Sequence, residues 1–283
     1  MCRFVAYLGS DILLNEVLVK PVNSIVMQSM QARESDIRTN GDGFGLGWYT
    51  PEIDSNPALF RSIFPAWSDE NLLHLTAKIK SPCFFAHVRA ASVGGTNINN
   101  CHPFVSGSWM FMHNGQIQDF LTVKRHLRHL LEDDIYNWIQ GSTDSEHLFA
   151  LFLQRSKGID LNDLSMVADV LLETLSEIIG LVKQFGTEGP SWFNICLTNG
   201  QQLVASRYCS DEEIVPESLH YLAGDSFSSS DNFHRQKKSD RHDFVMVASE
   251  RLTDLSSEWR DVPANHLLLV DSDKRVQLKP VIF

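Results

Sequence analysis

The chain has 283 residues, with 24 Lys and Arg against 35 Asp and Glu, which gives a formal net charge of −11. Its hydrophobic share of 43% is ordinary for a globular protein and excludes a largely disordered or collagen-like chain. The acidic balance argues against nucleic acid as a partner, and no run approaches the roughly 18 apolar residues of a membrane-spanning helix, so we expect a soluble protein.

The first half of the chain predicts strands and short helices. An aromatic and β-branched run at 4–8 predicts a strand, followed by short helices at 13–19 and 24–31. The glycines of 40–49 alternate with bulky residues, which favours a strand that another backbone approaches closely over a dinucleotide-binding loop. Two further strands are expected, at 83–89 and at 108–113, the second running into a turn signal at Asn114-Gly115.

The second half predicts helices and then strands. Helices are expected at 119–131, from about 143 onward, and at 164–182. Strands are expected at 192–197, 202–207, 245–249, 266–270 and 275–282, the first two forming a hairpin around Asn199-Gly200. The polar stretch 224–243 predicts a mobile surface loop. This order indicates an α+β protein with layered sheets, organised as one domain over residues 1–283.

The five cysteines are Cys2, Cys83, Cys101, Cys196 and Cys209. No C-x-x-C pair occurs among them, so neither a zinc knuckle nor a redox dithiol is indicated. No secretory signal pattern follows the N-terminus, and we expect a cytoplasmic protein with free thiols. Four of these thiols are expected to be buried small hydrophobes, whereas the position of Cys2 calls for a separate explanation.

Cys2 becomes the N-terminal residue if the initiator methionine is removed. The new α-amine, with a pKa of about 7.7–8.0, would then lie beside a thiol with a pKa of about 8.5 and could act as its general base. An N-terminal amine that activates its own side chain is an established form of nucleophile activation. The alternative is an inert cysteine packed in a strand, and Cys2 taken alone favours that alternative.

Other polar residues follow or end predicted elements. The Asn114 side chain and the Gly115 N–H could stabilise an oxyanion, although an ordinary Asn-Gly turn is the alternative. Arg89 could grip a carboxylate with two hydrogen bonds, or form a surface salt bridge. Asp144 could pair with a substrate ammonium, or serve only as a favourable charge at a helix N-terminus.

Six motifs in family order, together with a late segment, resemble the class II glutamine amidotransferases. They are Met-Cys-Arg at 1–3, Asn-Gly-Asp-Gly-Phe-Gly at 40–45, His-Val-Arg-Ala at 87–90, Asn-Cys-His-Pro-Phe at 100–104, Phe-Met-His-Asn-Gly at 111–115, Gly-Ser-Thr-Asp-Ser-Glu at 141–146, and the late Ala-Ser-Glu-Arg-Leu-Thr at 248–253. Among stand-alone members, the chain is most similar to the amidotransferase-like subunit of the Dug glutathione-degradation complex, and next to the γ-glutamyl hydrolase of ergothioneine biosynthesis.

The resemblance implies a four-layer αββα sandwich of the N-terminal-nucleophile (Ntn) hydrolase type. It also implies that Cys2 is the nucleophile with its α-amine as base, and that Asn114 and Gly115 form the oxyanion hole. Arg89 would bind the glutamyl α-carboxylate with help from Ser92, and Asp144 the α-ammonium. His87, His102 and His113 flank these motifs, and we expect structural hydrogen bonds from them.

The predicted activity is therefore hydrolysis of a γ-glutamyl amide bond, in glutamine or in a γ-glutamyl thiol peptide such as glutathione. No metal or organic cofactor enters this scheme. His126 and His129, followed by Glu132 and Asp133, could place metal ligands on one helical face, but no third convergent ligand can be named and a solvated helix face is favoured. Two alternatives stay open at this point. One is a subunit that is active only with a separate peptidase or synthase partner, and the other is a structural protein with an unprocessed N-terminus.

Overall fold

The computed structural model describes residues 2–91, 94–225, 227, 242–254 and 258–283. Its strands are β1 (Arg3–Leu13), β2 (Phe44–Thr50), β3 (Asp54–Ser62), β4 (Lys80–Val88), β5 (Phe104–Ser106), β6 (Trp109–Gln116), β7 (Trp192–Thr198), β8 (Leu203–Arg207), β9 (His220–Gly224), β10 (Phe244–Ala248), β11 (Arg260–Asp261), β12 (His266–Val270) and β13 (Val276–Pro280). Its α-helices are α1 (Leu14–Leu18), α2 (Ile25–Met30), α3 (Glu70–Thr76), α4 (Phe120–Arg128), α5 (Asp133–Trp138), α6 (Asp144–Arg155) and α7 (Leu164–Phe185).

The strands form two antiparallel sheets. One has the order β11-β9-β10-β1-β4-β2-β3, and the other has the order β13-β12-β8-β7-β6-β5. Three apolar clusters separate four layers: one lies between α1–α3 and the first sheet, one between the two sheets, and one between the second sheet and α4–α7. The predicted αββα sandwich is confirmed. None of the helices in these described ranges is long and apolar enough to span a membrane.

Strand β1 lies inside the first sheet and is buried on both of its faces. In β1, Phe4 and Leu8 point into the inter-sheet cluster, while Val5 and Tyr7 pack on the helices behind the sheet. Successive side chains of a strand point to opposite faces, so a strand buried on both sides reads as a continuous apolar run. The N-terminal end of β1, directly after Cys2, is therefore held between two packed layers.

The glycine-rich segment forms β2, as expected from its alternation. A Cβ added to Gly45 would lie 2.0 Å from the carbonyl oxygen of His102, and one added to Gly47 would lie 2.4 Å from the sulfur of Met110. Both glycines face the second sheet, so a side chain at either position would force the two sheets apart. The prediction of a close backbone approach is confirmed.

The turn predicted at Asn114-Gly115 is wrong. Strand β6 continues to Gln116, and its pairing with β7 includes Asn114 opposite Asn194 and Gly115 opposite Phe193. Gly115 is required there because a Cβ would lie 2.0 Å from the carbonyl oxygen of Trp192. The dipeptide thus serves a close strand–strand approach instead of a chain reversal. The loop predicted at 224–243 falls mostly outside the described residues.

Candidate active site

Cys2 directly precedes β1, and its side chain contacts Ala90, the residue that follows Arg89. Its Sγ is 3.3 Å from both the backbone nitrogen and the carbonyl oxygen of Ala90. Burial raises the pKa of the Cys2 thiol, although the hydrogen bond from Ala90 and the positive charges of Arg89 and Arg3 oppose that effect. The thiol is therefore protonated near neutral pH, and a nucleophilic role requires a general base.

Arg89 is buried just past the end of β4. Its Nη1 donates to the carbonyl oxygen of Gly95 at 3.3 Å and its Nη2 to that of Gly94 at 3.1 Å. Asn100 donates to the same Gly95 carbonyl at 2.8 Å and contacts Ser142 through both its amide atoms. These bonds connect the guanidinium to the segment that leads into α6.

Asp144 occupies the first position of α6, where Thr143 caps the helix by accepting from the Glu146 N–H. The buried carboxylate accepts from the backbone N–H of Ile117 at 2.8 Å and from that of Ser145 at 2.9 Å. Ile117 follows β6 directly, so this bond fixes Asp144 against the end of the strand that carries Asn114. The predicted helix start is confirmed.

Asn114 is fully buried in β6, and no described residue provides a hydrogen-bond partner for either its Oδ1 or its Nδ2. It shares its face of the strand with Met110 and Met112, which point into the inter-sheet cluster. Burying an amide without a partner costs roughly 1–3 kcal/mol. An amide kept in this state at the end of the inter-sheet space is suited to donate to a bound ligand.

Contacts link the four segments that carry Cys2, Arg89, Asp144 and the Asn114-Gly115 pair. Cys2 touches Ala90, Arg89 reaches Ser142 through Gly95 and Asn100, and Asp144 binds the N–H of Ile117 after the Asn114-Gly115 pair. Phe4 and Met112, which lie two residues from Cys2 and from Asn114, both belong to the inter-sheet cluster. Ser92 lies outside the described residues.

The three histidines near these motifs behave differently from one another. His113 makes the expected structural hydrogen bonds, with Nδ1 2.9 Å from the Ser145 hydroxyl and Nε2 2.9 Å from the carbonyl oxygen of Trp192. His87 and His102 stack with ring centroids 4.2 Å apart. Burial lowers the pKa of His87 to about 3 and that of His102 well below its ordinary value. Both rings are therefore neutral near pH 7 and only weakly basic.

A buried ion pair next to Cys2 was missed from the sequence. Arg3 donates from Nε to Glu250 Oε1 at 3.0 Å and from Nη1 to the carbonyl oxygen of Cys2 at 3.1 Å, and both charged side chains are 0% exposed. Glu250 also accepts from the backbone N–H groups of Arg33 and Glu34. This pair fixes the backbone of Cys2 against the loop that follows α2.

Replacing Glu250 with alanine is expected to lower the free energy of unfolding by about 3–5 kcal/mol, because it leaves the Arg3 charge buried without its main partner. Urea unfolding measures the loss. The control is Asp254→Ala, which breaks an exposed pair with Arg33 at 3.1 Å and should cost no more than about 1 kcal/mol. Equal losses in the two variants would contradict a structural role for the buried pair.

Within the described ranges, no group of three or more His, Cys, Asp or Glu side chains is arranged to hold a metal ion. A cavity of about 520 Å³ lies between the C-terminal part of α7 and residues 210–212, and it is lined by Lys183, Glu188 and Asp211 among others. None of the predicted site residues lines it. The cavity is therefore separate from the predicted site residues.

The chain belongs to the class II glutamine amidotransferases, because the family model described as "Glutamine amidotransferases class-II" matches residues 13–280. The family is thus the one that the sequence motifs indicated.

Two curated relatives and one solved structure illustrate the similarity. The chain is 38% identical over 303 residues to the "Probable glutamine amidotransferase DUG3" of Saccharomyces cerevisiae, covering 100% of this chain and 85% of the relative. It is 25% identical over 272 residues to the "Gamma-glutamyl-hercynylcysteine sulfoxide hydrolase" of Mycobacterium tuberculosis, covering 95% and 93%. A class-II glutamine aminotransferase domain protein from Silicibacter pomeroyi superposes with a TM-score of 0.68 at 26% identity, covering 100% of both chains.

Proposed function

We propose that the protein hydrolyses the γ-glutamyl amide bond of glutamine or of a γ-glutamyl thiol peptide such as glutathione, through a thioester on Cys2. The general base is the α-amine of Cys2, freed by removal of Met1. One domain over residues 1–283 carries the activity, and five free thiols fit a cytoplasmic location. The observation that carries the proposal is the buried, unpartnered amide of Asn114, on the face of β6 that carries Met110 and Met112 into the inter-sheet cluster.

The α-amine of Cys2 acts as the base in both steps of the proposed reaction, formation of the thioester and its hydrolysis. The neutral amine takes the thiol proton, Sγ attacks the γ-carbonyl carbon, and the carbonyl electron pair moves onto oxygen. When the tetrahedral intermediate collapses, the C–N bond breaks and the leaving amine takes the proton from the ammonium. Water, deprotonated by the same amine, then attacks the thioester, the C–S bond breaks, and glutamate leaves as the thiol regains its proton.

Asn114 Nδ2 and the Gly115 N–H are the proposed donors to the oxyanion. Their value lies in being fixed before the reaction, since they need no reorganisation when the negative charge develops. Burial of the site strengthens such hydrogen bonds because the surroundings have a low effective dielectric constant.

Arg89 and Asp144 are the proposed anchors for the two charges of the glutamyl group, with Ser92 assisting at the carboxylate. Two opposite charges fixed at one end of the substrate determine where its γ-carbonyl lies. Positioning of this kind can supply several kcal/mol, at most about 7–11, of the barrier reduction. The Asp144 carboxylate already accepts two backbone hydrogen bonds, which fix its orientation.

The names of the two curated relatives support both proposed substrate types, glutamine and a γ-glutamyl thiol peptide. One names a glutamine amidotransferase, and the other names a hydrolase of a γ-glutamyl conjugate of a sulfur compound. Glutamate release from glutamine, glutathione and γ-glutamylcysteine, measured with purified protein whose N-terminus is verified as Cys2, tests the proposal. Turnover of at least one substrate is expected. Release only after a partner protein is added would instead favour the subunit that acts with a separate peptidase or synthase.

Replacing Arg89 with lysine is expected to raise KM by about 10- to 100-fold with little change in kcat, because the forked grip on a carboxylate is lost and a charged hydrogen bond contributes about 1.5–3 kcal/mol. Steady-state kinetics with the preferred substrate measure the effect. The control is Arg275→Lys, an exposed position beside Asp271 and Asp273. An unchanged KM in the Arg89 variant would contradict the carboxylate assignment.

A further inference from the structure

We infer that Asn194 is a positioning residue whose Oδ1 accepts a hydrogen bond from the N-terminal amine of processed Cys2. This inference rests on the proposed function, because it assigns a partner to the general base of that reaction. It adds a residue of β7 that belongs to none of the family-like sequence motifs.

The orientation of the Asn194 amide is fixed by its donors. The residue is buried, and its Nδ2 lies 3.0 Å from the carbonyl oxygen of Glu217 and 3.2 Å from that of Ser218. Two carbonyl acceptors require the NH₂ group at that position, so the oxygen must point elsewhere. None of the described residues donates to this Oδ1.

Asn194 faces the same space as Asn114. Cys196, two residues further along β7, belongs to the inter-sheet cluster, whereas Phe193 and Ile195 point to the helices on the other side. Asn194 is also the direct partner of Asn114 in the β6–β7 pairing. The two buried amides therefore lie side by side, and the unfilled acceptor belongs to the proposed active site.

The segment that anchors Asn194 is in contact with the start of β1. The Ser218 hydroxyl donates to the carbonyl oxygen of Ser249 at 2.9 Å, and Arg3 Nη2 lies 3.7 Å from a carboxylate oxygen of Glu217. Phe4 exchanges hydrogen bonds with Ser249, through its N–H at 3.1 Å and its carbonyl oxygen at 3.0 Å. The backbone N–H and C=O of Phe4 therefore point to the edge of β1 on which Ser249 and residues 217–218 lie.

The backbone groups of residues two apart in a strand point to the same edge. Cys2 directly precedes β1, and the same alternation continued by one residue directs its nitrogen to the side of the Phe4 nitrogen, toward Ser249 and the segment that anchors Asn194. Its carbonyl oxygen is already fixed by Arg3. Among the described groups on this side, Asn194 Oδ1 is a buried acceptor that still needs a donor, and a freed α-amine supplies N–H groups.

Such a hydrogen bond has two consequences for catalysis. An N–H directed at Asn194 turns the amine lone pair toward the thiol, which is the geometry that proton transfer needs. An acceptor also binds the charged ammonium more strongly than the neutral amine, so it raises the pKa of the amine. Without Asn194 the amine should be less well oriented and have a lower pKa.

The test is the pH dependence of kcat/KM for Asn194→Ala and Asn194→Asp, with Cys2 verified as the N-terminus. The acid limb reports the free amine, so it should move to lower pH in the alanine variant and to higher pH in the aspartate variant, which adds negative charge. A positioned base contributes about 10²–10⁴-fold, so we expect kcat of the alanine variant to fall by about 10- to 100-fold. The charged neighbours Arg3, Arg89, Glu217 and Glu250 are unchanged in both variants.

The matched control is Gln202→Ala, which removes another buried amide that donates to a carbonyl oxygen, here that of Leu161 at 2.6 Å. It should leave the acid limb in place. If Asn194→Ala folds poorly, the aspartate variant and the pH dependence of Cys2 alkylation, followed by peptide mass spectrometry, give the same readout. An acid limb that stays in place in both Asn194 variants, or a higher KM alone, would overturn the inference. Wild-type protein without turnover would instead refute the proposed function.

Discussion

Cys2→Ala is expected to lower turnover by roughly 10⁴-fold or more, because it removes the atom that forms the thioester while leaving the binding groups in place. The fold should be retained, since β1 is held by residues 3–13 and by its pairing with β4 and β10. Glutamate release and urea unfolding of the same preparation measure the two properties separately.

The matched control for this variant is Cys83→Ala. Cys83 is a buried thiol in the inter-sheet cluster, and it pairs with Leu8, six residues along β1 from Cys2. Its removal should cost stability and leave the specific activity close to that of the wild type. Comparable loss of activity in both variants would mean that Cys2 acts through packing and not as a nucleophile.

Asn114→Ala is expected to lower kcat by about 10²–10³-fold, or 2.7–4 kcal/mol, with little change in KM, because an oxyanion donor acts mainly in the transition state. Stability should respond in the opposite way. The buried amide has no hydrogen-bond partner among the described residues, so its removal should leave the free energy of unfolding unchanged or raise it.

Kinetics and urea unfolding of Asn114→Ala together distinguish catalysis from structure. A structural asparagine would lose stability on truncation and lose activity only as far as the folded fraction falls. Loss of stability with unchanged kcat would therefore contradict the oxyanion assignment. Asn114→Asp provides a second comparison, because it keeps the shape and places negative charge where the oxyanion develops.

The layered fold could be predicted from the sequence because its central strands carry strong local patterns. Apolar runs such as 4–8 and 83–88 are typical of strands buried on both faces, and α6 begins at Asp144, close to the helix start expected from about residue 143. Strand β3 was missed because it is an edge strand with mixed exposure and contains Pro57, which weakens a strand prediction.

Cys2, Arg89, Asn114, Gly115 and Asp144 could be predicted as site residues because each lies in a recognisable motif. Arg3 and Glu250 were not predicted as a pair, since 247 positions separate them and only the packed fold joins them. Asn194 could not be predicted from the local sequence either, because its proposed role depends on which of its amide atoms is left unpartnered after folding. Asn114-Gly115 shows the opposite error, in which a common turn dipeptide is used inside a strand.

We propose above all that a processed Cys2 forms a thioester with the γ-acyl group of the substrate. Intact-mass measurement of protein quenched in acid during turnover, followed by peptide mapping, tests it most directly. We expect a chain lacking Met1 with one added glutamyl group on the Cys2 peptide, and no such adduct in Cys2→Ala. Turnover by a chain that retains Met1, or a glutamyl adduct on another residue, would contradict it.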